Sequence, residues 1–187
     1  MSTFNETDFD FDEEEDRLDD EIADLQDRIA ELQDGDDVNS DTLQTLQAQL
    51  SKLQSQRKGV VWARDTAPGH EDFPMWDEAA DGVTLGAVRA ATFGTMQNDL
   101  ESDPNAGSGT SDILYVADGT VDAPFVSDDL SDKQLVGVVG QLHPWYIQWA
   151  SAAIDRLMDP EGAAGGNGTR SETSPNETST NETSTGE

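Results

Sequence analysis

The side chains in this 187-residue chain that could move protons are two histidines, His70 and His143, and forty carboxylates. General acid/base work needs two titratable groups held in contact, and acids spread along the whole chain single out no such pair. Combinations of Ser, His and Asp arise by chance in a chain this rich in Ser and Asp, so none identifies a nucleophile. Cysteine is absent, which excludes disulfides, a thiolate nucleophile and thiolate metal sites. The chain has no phosphate-binding P-loop, no dinucleotide-binding glycine motif and no His-Glu-x-x-His zinc motif. The acidic stretch DGDDVNSD at 34–41 lacks the ligand spacing and terminal glutamate of a calcium loop, and reads as a solvated turn. The expectation is therefore a protein that is not an enzyme, with no catalytic residue, no cofactor and no metal. His143, just before Pro144, is expected to cap or pack a helix start.

Aromatic residues offer a different chemistry, that of recognition. Trp145 and Trp149 are four residues apart, on one face of a helix, with Tyr146 beside them. Two readings stay open for these three. They can fill a core, or they can form an interaction face, since Trp and Tyr are favoured at interface hot spots. Phe4, Phe9 and Phe11 pose the same choice near the N-terminus: a disordered acidic arm over 1–12, or a docking segment with three aromatic anchors.

The elements that must carry these residues are mostly helices. Leu18, Ile22, Leu25, Ile29 and Leu32 step by four and three, the seam of a heptad repeat. Leu43, Leu46, Leu50 and Leu53 repeat that spacing after the break at 34–41, where Ser40 or Asp41 can cap a second helix. Residues 13–58 thus predict an antiparallel coiled-coil hairpin. It exposes enough of its seam for self-association through the N-terminal helices. Residues 59–160 predict a compact, mainly helical domain with at most a short strand. Within it HEDFPMW (70–76) reads as a loop burying aromatics. Residues 83–101 read as a short strand and then a helix capped by Thr92, because Gly86 and Gly94 weaken a single long helix by about 1 kcal/mol each. Residues 102–111 read as a loop, and 112–121 as a helix capped by Ser111. The capping-box pattern Ser131-Asp-Lys-Gln134 opens a helix to about Leu142, and Pro144 suits the first position of the last one. Residues 161–187, rich in Gly, Asn, Ser, Thr and Glu, have the composition of a disordered tail. The sequons at Asn5, Asn167, Asn176 and Asn181 read as a by-product of composition.

Charge sets the environment and the partners. The net charge is −30, with 18 acids against 5 bases in 1–58 and 17 against 4 in 59–160. At 0.1 M salt such charges repel over a screening length of about 10 Å, which molar salt shortens to about 3 Å. The pattern fits a halophilic protein folding in concentrated salt. No basic patch exists to bind nucleic acid. No apolar run approaches the about 20 residues that span a membrane, and the acidic N-terminus is unlike a signal peptide. The expected location is the cytoplasm.

The order of motifs in 83–162 resembles the tail assembly chaperones of long-tailed phages. The matching stretches are GVTLGAVRAATFGTM (82–96), Thr120-Val121-Asp122-Ala123-Pro124-Phe125-Val126, the helix start DDLSDKQL (128–135), and LHPWYIQWASAAIDRLMDPEG (142–162). The N-terminal hairpin lies outside that pattern. The resemblance implies a helical, non-enzymatic virus tail assembly protein that binds tape-measure or tail tube subunits, here of a haloarchaeal virus in its host cytoplasm. The alternative reading is a halophilic coiled-coil structural or adaptor protein that mediates oligomerisation.

Overall fold

The computed structural model describes residues 3–34, 40–73, 76, 80–102, 107–127 and 129–158. The C-terminal tail with its three sequons, and most of the turn after Asp34, lie outside these residues. The protein is mainly helical, with a small three-stranded antiparallel sheet. None of the described helices is long and apolar enough to cross a membrane.

The chain opens with strand β1 (Thr3–Asp10), which corrects the expected disordered arm. β1 pairs antiparallel with β2 (Gly82–Val88), from Thr3 opposite Val88 to Asp10 opposite Gly82. The register breaks between Phe4 and Thr7, where Asn5 takes a positive φ of 51°. Asn is among the few residues that tolerate this conformation. β3 (Thr120–Asp122) completes the sheet on the other side of β2. Three strands thus replace the single short strand expected. Only Phe9 of β1 is buried, so the strand exists because β2 offers it an edge rather than through its own pattern.

Asp10 ends β1 and starts helix α1 (Phe11–Asp34). Its Oδ1 accepts the N–H groups of Asp12 (2.9 Å) and Glu13 (3.0 Å). Acids in the first turn suit the positive end of the helix dipole. Helix α2 (Ser40–Val61) runs back against α1 and ends in one π turn, Trp62–Thr66. It passes straight through the expected domain boundary at 58/59. At Gly59 the helix crosses the start of the last helix so closely that a Cβ would sit 2.2 Å from the Trp145 carbonyl oxygen. Only glycine permits this approach.

Helix α3 (Ala90–Ser102) follows β2, as the strand-then-helix reading expects. Thr92 lies inside its first turn rather than capping it. Helix α4 (Ser108–Gly119) starts earlier than expected, so Ser111 is internal, and it ends at β3. Helix α5 (Asp132–Val139) begins at the expected box: the Ser131 N–H donates to Gln134 Oε1 at 3.0 Å. Helix α6 (Pro144–Met158) begins at Pro144.

α6 packs across β2 and α2, and the core forms between them. Trp76, Tyr146, Trp149 and Phe11 are fully buried there. Trp76 meets Tyr146 edge-on with centroids 5.2 Å apart, and lies 5.5 Å from Trp62 and 5.4 Å from Phe125. Burying one such side chain stabilises the fold by roughly 1.5–3 kcal/mol. Leu18 belongs to this core, and Leu53 packs against it. The two helices expected to stand apart as a hairpin are therefore rooted in the main domain. A second, smaller cluster of Leu25, Ile29 and Leu46, flanked by Leu32, Leu43, Leu50 and Leu53, continues outward between α1 and α2.

Candidate functional site

The aromatic face on α6 does not exist as a surface. Tyr146 and Trp149 are fully buried, and of the three expected contact residues only Trp145 reaches solvent, at 38% exposure. The reason is the sheet: with β1 and β2 beneath it, α6 has an apolar floor that its aromatic side must cover. Phe9 and Phe11 are likewise spent inside, 6.1 Å and 5.8 Å from the Trp149 ring. Trp145 is held at the surface, its ring 4.6 Å from that of His143 and 5.0 Å from the Lys58 ammonium. His143 Nδ1 accepts the Trp145 N–H at 3.2 Å, capping α6 as expected. Burial lowers the His143 pKa, which favours the neutral ring that this acceptor role requires.

A buried carboxylate holds α1 to α6. Glu14 accepts hydrogen bonds from Trp149 Nε1 (3.0 Å), Arg156 Nη2 (2.9 Å) and both Nε and Nη2 of Arg17 (3.0 and 2.9 Å). Burial is the largest single influence on its pKa and acts upward. The Arg17 hydrogen bonds, the Arg156 charge and the Trp149 N–H together outweigh it, so the carboxyl titrates below its ordinary range. Beside it, Arg57 bridges Glu15 and Asp19, and Arg64 bridges Asp12 and Glu15. Four of the chain's ten basic residues thus end on the first turns of α1. Nothing in the run of acids at 12–16 marks Glu14 by composition. Its position does, four residues before Leu18 and three after Phe11, on the apolar face of the helix.

A groove of about 650 Å³ opens between α3, α4 and α5. Thr92 and Thr95 line it from α3, Leu114 and Asp118 from α4, and Asp132 and Val136 from α5. Phe93, also on α3, is 41% exposed and stands edge-on to Tyr115 with centroids 6.5 Å apart. Burial, and then the charge of Asp132, raise the Asp118 pKa. Spacing on α3 alone could not reveal the groove, because it takes three helices to close it.

Two further clefts lie elsewhere. One, of about 440 Å³, collects Asp8, Asp10, Asp81 and Asp122 around Phe9 and Val83. Asp8 accepts from the Thr84 hydroxyl at 2.6 Å and Asp10 caps α1, so two of these acids have structural work. The other, of about 480 Å³, brings Lys52, Asp112 and Asp155 together between α2, α4 and α6. There the Tyr115 hydroxyl donates to Asp155 at 2.9 Å. Among the described residues, no three His, Asp or Glu side chains converge as metal ligands. Comparison of the chain with protein-family models, with curated protein sequences and with solved structures returns no match.

Proposed function

We propose that the protein is a non-enzymatic assembly factor of a tailed virus in a halophilic host, acting in the host cytoplasm on tape-measure or tail tube subunits. The observation that carries this reading is the groove between α3, α4 and α5. All of its lining falls within the segment that resembles tail assembly chaperones, and a cleft walled by three helices with leucine and valine on its floor suits a helical protein partner. The net charge of −30 supports the halophilic setting, since only concentrated salt screens repulsion of that size. The test is direct binding in molar potassium chloride. The purified chain is titrated by calorimetry with tape-measure segments encoded beside its gene. Saturable one-to-one binding is the expected result. A gene remote from any tube or tape-measure gene, together with no binding, would sink the reading.

A second role has its own support. Leu32, Leu43 and Leu50 at the outer end of α1 and α2 are only half buried, which suits an antiparallel coiled coil that self-associates. Removing residues 1–58 cannot test it, because β1 and Leu18 would leave the core with them. Leu32→Glu with Leu43→Glu leaves the core intact. A drop in mass by light scattering supports the adaptor role, and an unchanged mass rejects it.

A further inference from the structure

The groove between α3, α4 and α5 is apolar on its floor and doubly acidic at α4 and α5. Leu114 and Val136 supply the apolar surface, and Asp118 and Asp132 the charge. Asp132 sits in the first turn of α5, at the positive end of the helix dipole. Burial and then the charge of Asp132 act against the ionisation of Asp118, and together they outweigh the N-terminal ammonium, which acts for it. Lys133 lines the same groove, yet among the described residues no cation comes within ion-pairing distance, 4.0 Å, of either carboxylate. Glu14 is arranged otherwise, surrounded by two arginines and an indole N–H. Asp118 is half buried and, among the described residues, has no cation in contact, so a cation brought by a partner would complement it.

We propose that the groove receives one amphipathic helix of a partner protein, its apolar face on Leu114 and Val136 and a lysine or arginine set between Asp118 and Asp132. The inference rests on the assembly-factor reading and specifies the chemistry of its partner. A partner cation removes both penalties at Asp118, the desolvation and the repulsion, whereas a neutral or acidic helix leaves or worsens them. Concentrated salt does not abolish the effect. With screening over about 3 Å, remote charges cease to matter and contact pairs remain, so a basic residue placed in the groove discriminates where the overall charge cannot. Helix-in-groove recognition also anchors apolar residues at i and i+4, which two floor residues on adjacent helices can accept.

The chain lacks cysteine, so Thr95→Cys provides a single thiol for an environment-sensitive fluorophore on the groove wall. In molar potassium chloride the labelled full chain is titrated with three synthetic helical peptides of about four turns. They share leucines at i and i+4 and differ at one central position, which holds Lys, Gln or Glu. The Lys peptide is expected to bind about tenfold more tightly than the Gln peptide, a difference of about 1.4 kcal/mol, and the Glu peptide more weakly still. Asp118→Asn and Asp132→Asn should each erase the Lys preference, while Asp122→Asn, in a different cleft, should keep it. Equal binding of the three peptides overturns the proposal, as does a preference that survives both Asn changes. A small diamine that shifts the label at the same concentration as the Lys peptide overturns it too. No response of the label to any peptide rejects the groove as the site. The calorimetric titration with tape-measure segments then decides the assembly-factor reading separately.

Discussion

The two ends of the α1–α2 pair carry the same heptad spacing and are held in different ways. At the foot, Phe11 and Leu18 enter the aromatic core, and two sets of ion pairs form, Glu14 with Arg17 and Arg156, and Glu15 with Arg57 and Arg64. At the tip, three buried side chains, Leu25, Ile29 and Leu46, hold the helices together. Among the described residues, Asp24, Asp27 and Glu31 there join no ion pair. An identical pattern of leucines and isoleucines thus yields an anchored segment and a weakly held one. The difference lies in what surrounds the seam. At the foot, β1 and α6 convert an amphipathic stripe into part of a closed core. At the tip, one helix faces one helix, and acids on the outer faces have only salt to screen them.

The largest expected effect is at Glu14. Glu14→Gln removes the charge that Arg17 and Arg156 both contact and leaves the Trp149 N–H a weaker acceptor. The loss is expected to be about 3 kcal/mol, because it breaks a buried, multiply bonded carboxylate rather than a surface pair. That corresponds to a Tm lower by about 10 °C in a domain of this size. A fall under about 1 kcal/mol in chemical denaturation would show that the foot is held by packing alone.

Ile29→Ala at the tip is expected to cost about 2 kcal/mol, at the low end for a buried aliphatic side chain because the site borders solvent. Its signature should be local. Amide exchange should quicken around residues 25–34 and 40–50 while exchange in β2 and α6 stays at the wild-type rate. Uniform acceleration would mean that tip and foot unfold as one unit. Dilution of salt sharpens the same contrast. Below roughly 0.5 M the screening length passes about 4 Å, and helical signal should be lost from the tip before near-ultraviolet signal from the Trp cluster falls. Full retention of both signals in dilute buffer would contradict the proposed salt adaptation.

Much of the pair was legible from spacing, and so were the Ser131–Gln134 helix start and the helix opening at Pro144. Each of these is a local pattern, decided within one or two helical turns. What could not be read depends on partners distant in sequence. TFNETDFD carries no strand alternation beyond Phe9, and becomes β1 because β2 offers an edge about eighty residues later. Trp149 and Tyr146 can be read as core or as surface until that sheet settles the choice. Glu14 is one acid in a run of five, and only the arrival of Trp149 and Arg156 from α6 distinguishes it. The groove acids Asp118 and Asp132 are likewise ordinary by spacing, and become a pair only when α4 meets α5.

Titration separates the foot from the groove by sign. Glu14 titrates below its ordinary value of about 4.3, so its contribution is present above that pH and is lost as pH falls through its lower folded value. Asp118 is displaced the other way, by burial and then by Asp132. Stability linked to it is complete below about pH 3.9, the ordinary Asp value, and is lost as pH rises through the higher folded one. Asp118→Asn should therefore leave the fold intact and raise stability at neutral pH, by about 0.5 kcal/mol or less given its partial exposure. The gain should vanish toward about pH 3, below the ordinary Asp value, where the wild-type carboxyl is protonated in both states. In Glu14→Gln the acid limb of the stability curve should flatten instead. Denaturation midpoints of the two variants across pH 3–8 check both signs at once. A destabilised Asp118→Asn at neutral pH would mean that this carboxylate already has a cation of its own, and the groove would then have no charge left to offer a partner.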